Sequence, residues 1–372
     1  MKITDIRITR LELPLDPPFA AAWDPVPRRT FPASLVRVET DEGIVGVGSG
    51  DTMDGFSAFR HLFIGEDPRA IARHVRTLET IAHHAGRYWP LEAALWDIIG
   101  QAYGQPVARL FGGALDRLPA YASCGMLLPP EARAEAALAR REEGFRAIKI
   151  RIDRRRIDEG LAAVRATRAA VGDSMAIMVD MNQAWRMAGD IAAATDLPTA
   201  RRTAEALREL DVLWMEEPLP EHRLRDLAAL RAATGVRVSG GEMARTFHQL
   251  VEAVQADALD VLQPDVVLAV GMLRARTIGE LALAANRWFT PHTWTNGIGL
   301  LANLHVVAGV GGGPYVEFPY DPPGWTCERR DFMLAEPIRI EPDGTVAVPD
   351  RPGLGVVLDE DAIRRYACGE ER

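Results

Sequence analysis

The sequence predicts an α/β protein in which a parallel barrel follows a smaller α+β region. From Tyr121 onward, short apolar segments alternate with amphipathic segments such as EARAEAALARREEG and ARRTAEALREL, a pattern typical of parallel strands joined by helices. Residues 1–118 instead place strand patterns first and helical patterns afterwards. We therefore predict an α+β domain at 1–118, a barrel at 119–320, and a C-terminal segment at 321–372 that returns to the first domain.

The barrel strands are expected to end in a regular series, about one βα unit apart. We predict these ends near Cys124, Arg151, Asp180, Glu216, Ser239, Gln263, Thr290 and Glu317. The stretch 186–200 lengthens the connection after Asp180, so it is a candidate for the rim of a pocket or for a contact between subunits.

Composition excludes several classes of function. A net charge of -9 argues against a nucleic-acid surface. The three cysteines, Cys124, Cys327 and Cys368, form no CxxC pair, which favours a reducing cytoplasm over a disulfide framework. The N-terminal stretch MKITDIRITRLEL lacks the apolar core of a signal peptide, and no segment offers the ~18 apolar residues of a membrane span. We expect a cytoplasmic protein without nucleic-acid or membrane partners.

Three acidic residues stand at predicted strand ends: Asp180 in IMVDMNQ, Glu216 in VLWMEEP and Glu242 in VSGGEMA. Parallel barrel strands bring their carboxyl ends together, and carboxylates so placed repel one another unless a cation neutralises them. Ligation by oxygen alone favours a hard divalent ion, Mg²⁺ first and Mn²⁺ as a substitute. The alternative is three separate helix caps, which their common register disfavours.

Two further strand ends carry Asp265 in DVLQPDVV and His292 in RWFTPHTW, again one βα unit apart. A carboxylate bonded to one imidazole nitrogen fixes the tautomer and raises the basicity of the other nitrogen, as a general base requires. The alternative is a buried histidine with a structural role.

Lys149 and Arg151 in FRAIKIRID share one face of a strand, which should be the barrel interior. Lys149 and Lys2 are the only lysines in the chain, and burial tunes the pKa of lysine more readily than that of arginine. Glu317 in GGPYVEFPY should face the same cavity. If protonated, Glu317 could donate a hydrogen bond to a developing oxyanion.

Together these motifs resemble the enolase superfamily, and within it the mandelate racemase / muconate lactonizing enzyme family. The resemblance covers nearly the whole chain, in the order SLVRVETDEGIVGVGSG, EAALWDIIGQAYGQPVARLFGG, KxR, DMNQAW, WMEEP, GGEMA, QPD, PHTW and DGTVAVPDRPGLGVVLDEDAIRRY. It implies an N-terminal capping domain, a modified (β/α)7β barrel of the TIM type and a C-terminal segment that completes the cap. It also implies a homo-oligomer, either a dimer or an octamer, that removes the proton α to a carboxylate with the help of Mg²⁺.

The resemblance assigns roles to the remaining residues. His292 would be the base, Asp265 would orient it, and Glu317 would bond the enediolate oxygen. Asn182, two residues after Asp180, would support the metal ligands or contact the substrate. Mg²⁺ with three carboxylates keeps one net negative charge, so a substrate carboxylate needs the further positive charge that Lys149 and Arg151 supply.

One feature departs from the commonest pattern of the family, because the chain has KxR where KxK is usual. Arginine stays protonated and is a poor base, so racemisation by two bases is disfavoured. His292 alone can remove the α-proton and then protonate a departing β-hydroxyl. The leading hypothesis is therefore a hydro-lyase of carbohydrate catabolism, a dehydratase that converts an acid sugar, an aldonate or aldarate, to a 2-keto-3-deoxy acid.

The alternatives are a racemase or epimerase of a 2-hydroxy acid with Arg151 as a base, and an inactive binding or scaffold barrel. Cycloisomerases are disfavoured, because the family branch of that name has a lysine in place of Asp265.

Substrate choice is expected to depend on cap loops near residues 14–31 and 49–58. Arg28 and Arg29 either meet a distal carboxylate, which would favour an aldarate, or form a solvated pair. The candidates for the pocket wall are Trp23, Trp185 and Trp294.

Overall fold

The computed structural model describes residues 1–51, 53–185 and 189–371. The N-terminal region contains strands β1 (Ile3–Phe19), β2 (Arg28–Thr40) and β3 (Val45–Gly50) and helices α1 (Ile71–Ala82), α2 (Trp89–Tyr103) and α3 (Val107–Leu110). Single 3-10 segments occur at Phe56–Leu62 and Gly172–Ser174. Part of the predicted insertion at 186–200, namely residues 186–188, lies outside the described residues.

The central region alternates strands and helices. In chain order these are β4 (Arg117–Ser123), α4 (Pro130–Glu142), β5 (Ala147–Arg151), α5 (Ile157–Val171), β6 (Ala176–Asp180), α6 (Leu197–Glu209), β7 (Val212–Glu216), α7 (Leu224–Thr234), β8 (Arg237–Gly240), α8 (Phe247–Gln255), β9 (Val261–Leu262), α9 (Met272–Ala284), β10 (Trp288–Phe289), α10 (Gly297–Val310) and β11 (Val316–Pro319). The C-terminal elements are α11 (Cys327–Arg330), β12 (Thr345–Ala347), α12 (Glu360–Tyr366) and β13 (Ala367–Glu371).

The capping sheet is antiparallel and has the strand order β13, β1, β2, β3. Alternate residues of β1 are buried, because one face of the sheet packs against α1 and α2. Gly48 of β3 lets α2 approach closely, since a Cβ atom there would lie 2.0 Å from the carbonyl oxygen of Pro90. β13 lies beside β1, with Glu371 opposite Ile8. The C-terminal segment thus returns to the first sheet, and the bounds of the three domains stay a prediction.

The second sheet curls eight parallel strands into the modified barrel, in the order β10, β9, β8, β7, β6, β5, β4, β11. β12 pairs antiparallel with β4. All eight parallel strands end within two residues of the predicted positions. The α/β barrel with an α+β cap is therefore confirmed.

Helix α10 connects the cap to the barrel through a fully buried interface. All its residues are buried, because it packs against α3, α9 and β3, and its sequence GIGLLANLHVVAGV is apolar on every face, as such a position requires. Asn296 caps its N-terminus and also donates to the Ser49 hydroxyl at 2.9 Å. The end of β3 is therefore tied to the barrel.

The turn of the β1–β2 hairpin reaches over the carboxyl ends of the barrel strands. The Ala22 N–H donates to the Gly125 carbonyl at 2.8 Å, just after β4. Arg329 holds the hairpin from the other side through the Pro17 carbonyl at 3.0 Å. Among the described residues, no helix combines the length and the apolar character needed to cross a bilayer.

Candidate active site

Three carboxylates lie together at the carboxyl end of the barrel. Asp180 and Glu216 are paired neighbours on β6 and β7, and Glu242 follows the end of β8 by two residues. One oxygen of each lies within 4.8 Å of the others, and all three side chains are buried. Glu242 Oε2 has no hydrogen-bond partner among the described residues. A buried, unpaired carboxylate oxygen facing two more carboxylates fits a hard divalent cation such as Mg²⁺.

Lys149 sits among these acids as a fully buried cation. Its Nζ atom lies 2.5 Å from Glu216 Oε1, 2.7 Å from Glu317 Oε1 and 3.5 Å from Asp180 Oδ2. Arg151 pairs with Asp180 through Nη1 and donates from Nε to the Cys124 carbonyl at 2.9 Å. Both members of the KxR pair therefore face the barrel interior, as the sequence indicates.

Asn182 bridges the acid cluster and Arg151. Its backbone N–H donates to Asp180 Oδ1 at 2.7 Å, and its side-chain oxygen accepts from Arg151 Nη1 at 3.2 Å. Its φ of 47° is a left-handed conformation that asparagine tolerates better than most residues.

The Glu317 carboxylate is surrounded by hydrogen-bond donors. Its carboxylate accepts hydrogen bonds from the Ser123 hydroxyl at 2.7 Å and the Thr293 N–H at 2.8 Å, in addition to its contact with Lys149. Burial alone would raise its pKa, but the charges of Lys149, His292 and Arg151 lower the pKa of Glu317 to about 2. Because three donors converge on this carboxylate, the ionised form is favoured in the free protein, and a donor role for protonated Glu317 stays a prediction.

The histidine and aspartate form the predicted pair. His292 Nδ1 lies 3.0 Å from Asp265 Oδ2. The other Asp265 oxygen accepts from the Val267 N–H at 2.8 Å and from Asn303 Nδ2 at 3.3 Å. These bonds fix the carboxylate as an acceptor, so we assign the proton to Nδ1. Nε2 then faces the acid cluster, 3.5 Å from Glu242 Oε2.

The local field is strongly negative without a cation. Burial alone would lower the pKa of His292, but Glu242, Glu317 and the hydrogen bond with Asp265 raise it to about 9. Burial raises the pKa of Glu242, and burial together with the charge of Glu242 raises that of Glu217 well above its usual range. A divalent cation would relieve this excess and bring the pKa of His292 closer to the value that a general base needs.

The site opens into a cavity of about 580 Å³. Its lining comes from the β1–β2 hairpin, the end of β3 and the barrel mouth, and comprises Phe19, Trp23, Asp24, Pro25, Arg28, Thr30, Phe31, Pro32, Asp51, Arg151, Asn182, Trp185, Glu242, Met243, Leu268, His292, Trp294 and Trp325. Both predicted cap loops thus reach the cavity, and Trp23, Trp185 and Trp294 all belong to its wall.

Arg28 and Arg29 lie in different environments. Arg28 lines the cavity, but its Nε and Nη2 donate to the two oxygens of Asp24 at 3.0 and 2.9 Å. Arg29 is exposed and is not part of the lining. Neither arginine offers an unpaired charge to a ligand.

Sequence reasoning missed three residues of this site. Asn303 holds Asp265 from within the apolar helix α10, where a single amide between Ala302 and Leu304 was the available signal. Asp51 and Trp325 reach the cavity through loop geometry, which no spacing rule encodes.

Comparisons with known proteins agree with this architecture. Residues 3–112 match the model of the mandelate racemase / muconate lactonizing enzyme N-terminal domain, and residues 131–362 match the enolase C-terminal domain-like model.

Three curated relatives differ in their named reactions. D-galactarolactone cycloisomerase from Agrobacterium fabrum is 30% identical and aligned over 98% of this chain and 99% of that protein. L-talarate/galactarate dehydratase from Salmonella typhimurium is 27% identical over 89% of this chain and 81% of that protein. D-galactonate dehydratase from Xanthomonas oryzae pv. oryzae is 27% identical over 89% and 90%, respectively.

Two solved structures resemble this one along nearly the whole chain. A racemase from Streptomyces coelicolor with bound magnesium has a TM-score of 0.84 and 29% identity, covering 98% of this chain and 99% of that one. A mutant L-talarate/galactarate dehydratase liganded with Mg and L-glucarate has a TM-score of 0.84 and 25% identity, covering 100% and 93%.

Proposed function

The chain belongs to the mandelate racemase / muconate lactonizing enzyme family of the enolase superfamily, and on that premise we propose that it is an Mg²⁺-dependent dehydratase of an acid sugar. The observation that carries the proposal is an asymmetric pair of candidate bases. His292 presents Nε2 toward the acid cluster, whereas Arg151 is tied to Asp180, Asn182 and a carbonyl group. One usable base supports elimination better than two-base racemisation.

Substrate binding follows from the charges. Asp180, Glu216 and Glu242 would hold Mg²⁺, which when bound stabilises negative charge on the substrate carboxylate as the reaction proceeds. Lys149 and Arg151 add two positive charges beside the acids. Together with the metal, Lys149 and Arg151 would stabilise the substrate carboxylate, and they would stabilise more strongly the dianion formed when the α-proton leaves.

The proton steps use His292. Because Nδ1–H of His292 donates a hydrogen bond to Asp265, the lone pair on Nε2 is the one available to take the α-proton, and the C–H electrons enter the enediolate. The imidazolium so formed is stabilised by Asp265. Its Nε2 proton then passes to the β-hydroxyl as the C–O bond breaks, so that water leaves, and the enol tautomerises to a 2-keto-3-deoxy acid.

We assign Glu317 a positioning role in place of the donor role expected from the sequence. As an ionised acceptor bonded to Ser123 and Thr293, it fixes the Nζ atom of Lys149 beside the acid cluster. Asn182 in turn fixes the positions of Arg151 and the Asp180 carboxylate through hydrogen bonds to both.

A ring-opening cycloisomerase is the second candidate, supported by the relative that bears that name. If the β-oxygen belongs to a ring of the substrate, the same two steps break the C–O bond without releasing the leaving group. The product is then an isomer of the substrate. This reaction needs the same residues as dehydration, so the sequence argument that disfavours cycloisomerases, which rests on a lysine in place of Asp265, does not apply to it.

The decisive experiment is a screen of the purified protein with Mg²⁺ against aldonates, aldarates and their anhydro and lactone forms. We expect a 2-keto product, lost in His292→Asn and lost in EDTA. Mass spectrometry separates the candidates, because dehydration removes one water from the substrate whereas ring opening leaves the mass unchanged. Absence of product and of α-proton exchange in D₂O across the panel would refute the proposal. Inversion at the α-carbon without a keto product would instead favour a racemase or epimerase.

We further propose that the protein acts in the cytoplasm in carbohydrate catabolism and as a homo-oligomer. Size-exclusion chromatography with light scattering tests the assembly, for which a dimer or octamer is expected.

A further inference from the structure

The cavity has a continuous aromatic wall. Phe19 stacks on Trp294 with ring centroids 5.8 Å apart, and Trp23 meets the same indole edge-on at 4.7 Å. Trp325 packs against Trp294 at 5.9 Å and against Phe31 at 4.8 Å. All five rings line the cavity, so a ligand meets an apolar surface on this side.

Nearly all charged side chains that line the cavity already interact with another charged group. Glu242 belongs to the acid cluster, and Arg151 is held by Asp180. Arg28 and Asp24 neutralise each other through two hydrogen bonds. His292 also lines the cavity and is paired with Asp265, so among the described residues of the lining Asp51 is the charged side chain that remains outside these pairs.

Asp51 comes from the end of the cap sheet, one residue after β3. Its carboxylate opens onto the cavity. Loss of hydration and the negative charge of Asp265 raise the pKa of Asp51 to about 6, although the positive charges of Arg28 and His292 act in the opposite direction. Asp51 is thus mostly ionised above pH 7.

We infer that the site selects monocarboxylate acid sugars with an uncharged, hydroxylated distal end and discriminates against dicarboxylates. The inference rests on the proposed function and specifies its substrate class. Relatives leave the choice open, since one is named for galactonate, a monocarboxylate, and another for galactarate, a dicarboxylate.

The physical basis is the balance of charge along the cavity. One substrate carboxylate meets the positive charge beside the acid cluster. A second carboxylate would approach Asp51 and find Arg28 already paired. Two like charges about 4–6 Å apart at the effective dielectric constant of a protein site repel strongly enough to weaken binding by about 100-fold. A terminal hydroxyl would instead donate a hydrogen bond to Asp51, and the C–H face of the sugar would lie against the rings.

The test compares galactonate with galactarate, which differ only in a terminal CH₂OH or carboxylate. Dissociation constants are measured by calorimetry at pH 8 with a fixed concentration of free Mg²⁺, on His292→Asn so that no turnover interferes. Galactonate should bind at least ~30-fold more tightly. In the same background, Asp51→Asn should lower the ratio of the galactarate to the galactonate dissociation constant about 10-fold or more, because it removes the repelling charge. Asp24→Asn should also lower this ratio, because Arg28 would then be free to bind the second carboxylate. Asp173→Asn, an exposed aspartate before β6, is the matched control and should leave the ratio unchanged.

Equal or tighter binding of galactarate would overturn the inference, and so would failure of both sugars to bind. A ratio that Asp51→Asn leaves unchanged would also overturn it, because the preference would then come from another group. These outcomes are separate from failure of the proposed function. That failure would appear as a wild-type protein that binds galactonate with the expected preference but neither forms product nor exchanges the α-proton of any acid.

Discussion

Replacement of Lys149 by methionine tests whether the acid cluster depends on a built-in cation. Lys149 is fully buried and lies 2.5 Å from Glu216 and 2.7 Å from Glu317. Methionine retains most of the side-chain volume but removes the charge, so the buried carboxylates lose their counterion.

The expected magnitude has two parts. Removing one partner of a buried ion pair costs about 3–5 kcal/mol, so in EDTA the free energy of unfolding of Lys149→Met should fall by that amount. The affinity for Mg²⁺ should instead increase. A unit charge and a divalent ion a few ångströms apart repel by several kcal/mol at an effective dielectric constant of about 20. Losing the lysine should therefore tighten Mg²⁺ binding at least about tenfold, which is about 1.4 kcal/mol.

The assay is urea denaturation in EDTA and in saturating Mg²⁺, with Mg²⁺ affinity measured by calorimetry. Lys2→Met is the matched control, because Lys2 is exposed and is the only other lysine. Mg²⁺ should restore more stability to Lys149→Met than it adds to the wild type. Equal stability of the two variants in EDTA, or weaker Mg²⁺ binding by Lys149→Met, would refute the reasoning.

Four further outcomes are expected. Asp265→Asn should slow α-proton exchange in D₂O, followed by NMR, about 10²–10⁴-fold, because the imidazole loses the acceptor that fixes its tautomer; rates equal to those of the wild type would contradict this role. Removal of divalent ions by EDTA should abolish turnover, and added Mg²⁺ should restore it. Burial lowers the pKa of His305 from 6.5 to about 4. The neutral histidine therefore contributes fully to the free energy of unfolding above pH 6.5, and about 3 kcal/mol is lost as the pH falls toward 4. In urea titrations, the free energy of unfolding of His305→Gln should fall less steeply with decreasing pH than that of the wild type. Gly48→Ala should destabilise the fold by about 1–3 kcal/mol in urea titrations, since its Cβ would lie 2.0 Å from a carbonyl oxygen of α2, whereas Gly369→Ala, whose Cβ would have 3.8 Å to its nearest neighbour, should be neutral.

The sequence was most informative where periodicity fixes position. The strands that carry Lys149, Asp180 and Glu216 end at or next to the predicted residues, because parallel strands in a barrel share one register and one functional end. The pairing of Asp265 with His292 was likewise predictable from one βα repeat.

The geometry of the loops and the interactions between charged groups were harder to predict from the sequence. The protonation state of Glu317 could not be predicted from the sequence, because it depends on donors from two other strands and a loop, including Ser123 and Thr293. The pairing of Arg28 with Asp24 was not predicted, because it depends on Asp24 folding back onto Arg28 within one turn. Asp51 reaches the cavity through the close packing of β3 on α2, which depends on the whole cap.

The pairing of β1 with β13 has a consequence for synthesis of the protein on the ribosome. More than 360 positions separate Ile8 from its partner Glu371. At about 5–20 residues per second, β1 therefore waits roughly 20 to 70 s for the neighbour that completes its sheet. All eight barrel strands are made before that neighbour. The strands that carry the acidic cluster are therefore complete before the outer edge of β1 gains its partner, so the cap sheet is the last part of the fold that can be completed.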